Sequence, residues 1–489
     1  MNINELVRIH DKNQFEIKLG YLINNKKKNT EYSINIYFFI PKNLGINKYT
    51  YSNHHFFEDF YSYVRLITPK DSLKSLISRL NKLHEFLKKY NFEIDKHLNH
   101  INYELKMTIC SYRAYLRDFS KKILNKAKCE KKSITELIED ITTFREIIRK
   151  ISLFYHNTKN EKLIDLFKFT DEYSSLLTDV YLFRILKPLL SENKVELTTK
   201  IKDFLKREIK YRAENGMSVV TSCDANNEEL IYKYSVYKKY FYNILFLSQK
   251  KKEDATELRH FAYAIAAGIA MIFATSIAFI TQKKYGNLTM SFFVALVISY
   301  MFKDRIKDFF RQMFDNKFIF KKVYDFRNKI YDLERFRLFG FYKERVRFIS
   351  EKDVPKKILA TRLKKTDSNI TTWYLGENIL KYEKKIKLYN DKIINSFKDK
   401  IEGLNDIVRF NINKFTKKMD DPTLILYTFS NNSLKKVKAS KVYHINLVIE
   451  FQSEDKQYFY KVRLILTKDG IKRIEIPEYD LTIENEHII

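Results

Sequence analysis

The feature that most constrains this chain is the run FAYAIAAGIAMIFATSIAFI at residues 261–280, which carries no charge although 31% of all residues do. Twenty residues in an α-helix rise about 30 Å, the thickness of a bilayer's hydrocarbon core. A second uncharged run follows from Leu288 to Phe302, 15 residues long, or 18 with Tyr285, Gly286 and Asn287. At roughly 22 to 27 Å it is short for a span and would have to thin the bilayer locally. One central lysine would cost about 2.5–3.5 kcal/mol on insertion, and neither run contains one. The pair predicts a two-helix transmembrane hairpin. The competing reading is a buried helical hairpin at the centre of a soluble protein.

Small residues are spaced regularly along both runs. Ala262, Ala266, Ala270, Ala274 and Ala278 recur every fourth position in the first, and Ser291, Ala295 and Ser299 do so in the second. Such rows let helix backbones approach closely, which is how packing drives association in lipid. The pattern predicts close packing within the hairpin, a homo-oligomer, or both.

Charge sets the expected orientation. Lys250, Lys251, Lys252 and Arg259 precede the hairpin, and Lys303, Arg305, Lys307, Arg311 and Lys317 follow it, whereas its loop holds only Lys283 and Lys284. Basic residues are retained on the cytosolic side, so both chain ends are expected there. Residues 303–365 hold 20 Lys and Arg against 9 Asp and Glu, an excess of 11 out of a total net charge of +30. In KDRIKDFFRQMFDNKF the apolar Ile306, Phe309, Phe310, Met313 and Phe314 oppose Lys303, Lys307, Arg311 and Lys317. That predicts a basic amphipathic helix immediately inside the membrane on anionic head groups, at about 1 kcal/mol per cation near the surface, with an ordinary core-facing helix as the competing reading.

The rest of the chain reads as mostly helical between two β-forming ends. With only 9 Gly and 6 Pro in 489 residues, long helices are favoured over a turn-rich fold. Phe15, Ile17, Leu19 and Tyr21, then Tyr32, Ile34, Ile36, Phe38 and Ile40, alternate with polar residues, predicting an amino-terminal β-hairpin. From Ser72 the period changes: Leu73, Leu76, Ile77, Leu80, Leu83 and Leu87 form a helical stripe behind a capping serine. Alternation returns in TLILYTF, VYHINLVIEF, YFYKVRLIL and IKRIEI. The expected fold class is a mainly α integral membrane protein with α+β cytosolic parts, built from a two-helix transmembrane hairpin, a helical bundle and a terminal antiparallel β-sheet. The expected units are 1–68 (β-hairpin and short helix), 69–258 (cytosolic helical domain), 259–302 (transmembrane hairpin, 261–280 and 285–302), 303–418 (basic juxtamembrane helices) and 419–489 (β-meander). With both ends on one side, the amino-terminal strands are expected to join the carboxy-terminal sheet.

Chemistry is sparse. No phosphate-cradling loop, dinucleotide fingerprint, nucleophile elbow or zinc-protease helix occurs. Three cysteines, Cys110, Cys129 and Cys223, are too widely spaced for a disulfide framework and suit a reducing compartment. Glu93, His97, His100 and Glu104 would line one strip of a continuous helix, and imidazole with carboxylate suits zinc or iron. The apolar stripe of Ile94, Leu98, Ile101 and Leu105 lies one residue away, so the strip equally reads as a solvated border of a core. The expected function is a non-catalytic membrane scaffold, adaptor or regulator with no cofactor, whose partners are a bilayer with anionic lipids and an unidentified protein. The alternatives are a membrane-tethered enzyme using that strip and a basic nucleic-acid binder. Nucleic acid is the less favoured partner, because the aromatics follow core periodicity and the densest charge adjoins the apolar runs.

Overall fold

The structure, a computed structural model, describes residues 7–23, 26–90, 93–125, 131–191, 195–221, 224–254, 256–286, 289–313, 324–332, 337–363, 376–397, 399, 401–430, 433–453 and 456–476. Two antiparallel sheets face each other. The smaller has the order β1-β2-β9-β4, with β1 (Val7–Asp11), β2 (Gln14–Leu22), β4 (Phe60–Leu66) and β9 (Gly403–Asn411). The larger has the order β14-β13-β12-β3-β8-β7-β6-β5. Its strands are β3 (Asn29–Pro41), β5 (Leu247–Glu253), β6 (Phe326–Asp332), β7 (Leu338–Ile349), β8 (Glu377–Tyr389), β12 (Tyr443–Ser453), β13 (Lys456–Thr467) and β14 (Gly470–Glu475). A two-stranded ribbon, β10 (Thr423–Ser430) and β11 (Ser433–Ser440), stands apart from both.

The expected amino-terminal β-hairpin does not form. β2 pairs with β1 and β9, whereas β3 pairs with β8 and β12. Each strand has one fully apolar face, and those faces are buried more completely against each other across two sheets than side by side in one. Tyr21 stacks on Tyr32 at 4.3 Å between ring centroids, and Phe38 meets Phe410 at 5.3 Å. The second face of β3 is polar at first and apolar toward its end. Tyr37 and Phe39 pack with Val354, Ile358, Ile379 and Val448 beneath α10 (Lys356–Leu363). The expected joining of the two chain ends is present in β3, whose register on β12 runs from Phe39↔Asn446 to Tyr32↔Ser453.

Helices expected to continue through residues 303–418 are largely replaced by four strands, β6 to β9. The period of two is there but is obscured by charge on the inward positions: Tyr342, Glu344 and Val346 are buried on β7, and Tyr382, Lys384 and Ile386 on β8. Burial of these charged groups is offset by partners. The Glu344 carboxylate accepts from Asn328 Nδ2 at 2.8 Å and Tyr382 OH at 2.9 Å, yet its near-complete burial still pushes its pKa up.

The bundle comprises α2 (Leu73–Lys89), α3 (Leu98–Asn125), α4 (Lys131–Ser152), α5 (Glu161–Ser191), α6 (Val195–Glu214) and α7 (Asp224–Tyr242). α2 begins as expected: Ser72 Oγ accepts from Ser75 N at 3.2 Å, and Leu73, Leu76, Leu80, Leu83 and Leu87 are buried. Its Arg79 donates to Glu104 at 2.6 Å and to Asp399 at 2.7 Å, tying the bundle to the loop before β9. The apolar core is continuous from the sheets into the bundle. The remaining short helices, α1 (Asn53–Asp59), α11 (Asn390–Ile394) and α12 (Asn413–Thr416), join strands.

Within the bundle, Arg145 of α4 donates to Asp171 Oδ1 of α5 at 2.8 Å and to Glu208 Oε2 of α6 at 3.2 Å. Burial acts to raise the Glu208 pKa, but the Arg145 and Arg149 guanidinium groups outweigh it, and the net effect is to hold the carboxyl below its ordinary 4.5. A depressed folded pKa contributes stability above the unfolded value that is lost as pH falls through the folded one. In Glu208→Gln, unfolding free energy measured in urea from neutral pH down to about pH 3 should therefore decline less steeply below pH 4.5 than in the wild type. The expected difference in slope is at most one proton's worth, about 1.4 kcal/mol per pH unit.

Candidate membrane hairpin and its root

The candidate site is assembled on β5, which carries Lys250, Lys251 and Lys252, and β6, paired antiparallel with Glu253 opposite Phe326. One residue further on, Asp254 N donates to Asp325 O at 3.2 Å, so the chain leaves and re-enters the body at adjacent points. Between them run α8 (Thr256–Tyr285) and α9 (Met290–Met313), packed against each other. Topologically, the helical hairpin is the loop of a β-hairpin.

Side chains fasten this root. Asp325 accepts from Val346 N at 2.8 Å and from Asn53 Nδ2 of α1 at 3.3 Å. Lys343 lies 3.1 Å from Asp254, and Phe57 of α1 meets Phe326 edge to face at 4.8 Å. The Lys251 ammonium sits 3.6 Å from the centre of the Phe326 ring. Charge and aromatic packing together give the emerging helices a fixed base.

Among the described residues one helix, His260–Tyr285, is long and apolar enough to cross a membrane. Almost none of it is covered: Phe261, Ile272, Phe279 and Ile280 are all more than 60% exposed. On α9, Met290, Phe293, Tyr300 and Met301 are equally bare. The two expected spans are thus one span-length apolar helix paired with a second, mixed one. α9 does not end with the uncharged run. No Gly or Pro occurs between Met290 and Met313, so the helix continues past Phe302 for about three more turns to Met313. The expected basic helix is the end of α9 itself, carrying Lys303, Arg305, Lys307 and Arg311, while Lys317 lies outside the described residues. Arg311 stacks over Tyr263 at 4.3 Å, placing this basic end beside the start of α8.

The small-residue row faces α9. Ala262, Ala266 and Ala270 are buried, and Ser299, also buried, donates from Oγ to Ala274 O at 3.1 Å. Ala278 and Ala295 are half-buried and Ser291 is exposed, so the seam loosens toward the loop. A carbonyl in reach of a facing hydroxyl implies backbones close enough for a cystine. Ala274→Cys with Ser299→Cys should crosslink within one chain, giving a faster-migrating monomer on non-reducing gels. A disulfide-linked dimer would assign the seam to a second copy instead.

The strip of Glu93, His97, His100 and Glu104 is broken. A 3-10 turn, Ile94–His97, precedes α3, so the four-residue spacing does not place Glu93 above His97 on one helix. Glu93 is exposed and pairs with Lys96 at 2.7 Å. His97 and His100 set their edges against Phe86 at 5.1 and 4.9 Å, and Glu104 is held by Arg79, with His100 Nδ1 at 3.8 Å. Among the described residues no three His, Cys, Asp or Glu side chains gather as a metal-binding set. The root, by contrast, has no sequence motif. Its only local signal is that Asp254 and Asp325 bracket the apolar segment at equal remove from their strands.

No protein-family model, curated protein or solved structure matches this chain.

Proposed function

We propose that this protein is a non-catalytic membrane adaptor or scaffold, with α8 and α9 inserted in a bilayer and the sandwich and bundle held together on its cytosolic face. What carries this reading is the combination of a bare apolar helix with a closed root. The exposed side chains of α8 have no protein cover, and water is a poor solvent for a contiguous apolar surface of this length. The β5–β6 ladder fastens both ends of the insertion, so both flanking parts of the chain lie on one side of whatever the helices enter. Lys303, Arg305, Lys307 and Arg311 at the root end of α9 suit anionic lipid head groups on that side. Engagement of the alanine row by α9 favours an intramolecular hairpin over oligomerisation through that row.

In sealed inside-out and right-side-out vesicles, tags at both chain ends should be digested from the cytosolic face only. A probe at Gln282, in the last turn of α8, should be reached from the opposite face. Accessibility of the two tags from different faces would refute the arrangement.

A further inference from the structure

The ribbon β10–β11 is the other element that the body leaves uncovered. It is paired along its whole length, from Thr423↔Ser440 to Ser430↔Ser433, and joins neither sheet. Leu424 (58% exposed), Tyr427 (65%), Phe429 (78%) and Leu434 (63%) are among its bare side chains. Cross-strand partners share a face. Leu424, Leu426 and Val437 therefore occupy one side, and Ile425, Tyr427, Phe429 and Leu434 the other. Neither side rests on protein, and an isolated two-stranded ribbon is marginal in water. Lys435, Lys436 and Lys438 are interleaved with these apolar groups.

Its position supplies the occupant. The ribbon is closed at its base by Lys441 N donating to Pro422 O at 2.9 Å, immediately before β12. β12 begins at the end of the large sheet where β3 finishes, and β5 runs toward that same end, giving way to α8 at the level of Ile34 in the middle of β3. A chain of contacts joins the two places. Lys414 of α12, just upstream of the ribbon, pairs with Glu58 of α1 at 2.7 Å, and Phe415 packs on Tyr51 at 5.5 Å. α1 in turn holds the hairpin root through Asn53 and Phe57.

We propose that β10–β11 is a second, interfacial membrane contact: apolar side chains of both faces enter the head-group and acyl boundary of the same bilayer, and Lys435, Lys436 and Lys438 meet anionic lipid phosphates. A surface apolar on both sides suits a surrounding solvent better than a partner protein, which would cover one side. Tyr427 and the lysines are the residue types that such an interface accommodates. The proposal rests on the membrane reading of α8 and α9.

The test uses the full chain, with Cys129 and Cys223 replaced by serine, in phosphatidylserine–phosphatidylcholine vesicles. Cys110 is buried, with its thiol pushed up to about 12 by desolvation, and does not label. An environment-sensitive fluorophore is attached at Phe429→Cys, at Phe279→Cys on α8, or at Tyr232→Cys on the exposed side of α7. Lipid-borne quenchers should remove most emission at 279 and at 429 and little at 232, while aqueous iodide should do the reverse. Quenching at 279 without quenching at 429 overturns the ribbon contact alone. Protection of 429 from both quenchers assigns it to a second copy or another protein and also overturns it. Absence of lipid quenching at 279 sinks the membrane reading itself.

Discussion

Replacing Lys384 with methionine is expected to destabilise the folded protein by about 3–5 kcal/mol, measured by urea unfolding in detergent. Lys384 on β8 and Asp406 on β9 form an ion pair with no exposure to solvent, and it lies between the two sheets. The pair is fully partnered. Lys384 Nζ also donates to Ser62 Oγ at 2.9 Å, Ser62 Oγ donates to Asp406 Oδ1 at 3.1 Å, and Tyr21 OH donates to Asp406 Oδ2 at 3.4 Å. The Tyr342 ring lies 4.1 Å from the ammonium. Methionine fills much of the lysine's volume, so what is lost is the counter-charge, leaving a carboxylate stranded in the core. Adding Asp406→Leu removes that stranded charge and should restore most of the stability. A double variant no more stable than Lys384→Met would show that packing geometry, not uncompensated charge, is the source of the loss.

The other large effect is expected from excising the hairpin. Residues 255–324 would be replaced by Asn-Gly, a pair suited to a two-residue type I′ turn. Because Asp254 and Asp325 are already backbone-paired across the β5–β6 ladder, the excision asks nothing new of the sheet. The intact protein should resist alkaline carbonate and stay with the membrane pellet. The shortened protein should be released into the supernatant while keeping the circular dichroism and protease resistance of the remaining body. Any binding left through β10–β11 would be peripheral and would yield to the same extraction. Release of the intact protein by carbonate would defeat the anchoring role. Collapse of the shortened protein to an unfolded, protease-sensitive chain would show instead that the helices contribute to the core.

Legibility in the sequence depends on how local each determinant is. α2 is readable because its serine cap and leucine stripe lie within one segment. β12 and β13 are readable because their inward positions are almost all apolar. β7 and β8 are not, since Glu344 and Lys384 sit where an apolar residue would mark the inner face, and their partners are supplied by other strands. The strip from Glu93 to Glu104 misleads for a related reason: its spacing implies a continuous helix where the chain makes a tighter turn before α3. β11, with its lysines and no strong alternation, carries no strand signal of its own, although its pairing with β10 creates the exposed ribbon.

By itself the sequence determined the apolar length of α8, the alanine spacing along it and the basic character of the adjoining end of α9, because each is a property of consecutive residues. Only the tertiary structure decided that this segment is the loop of the β5–β6 hairpin, that its alanine row is already occupied by α9, and that β2 and β3 part into separate sheets. Those outcomes depend on pairing between segments far apart in the chain. A strand's partner is chosen by which faces bury together and which buried charges meet, and no local pattern contains that information.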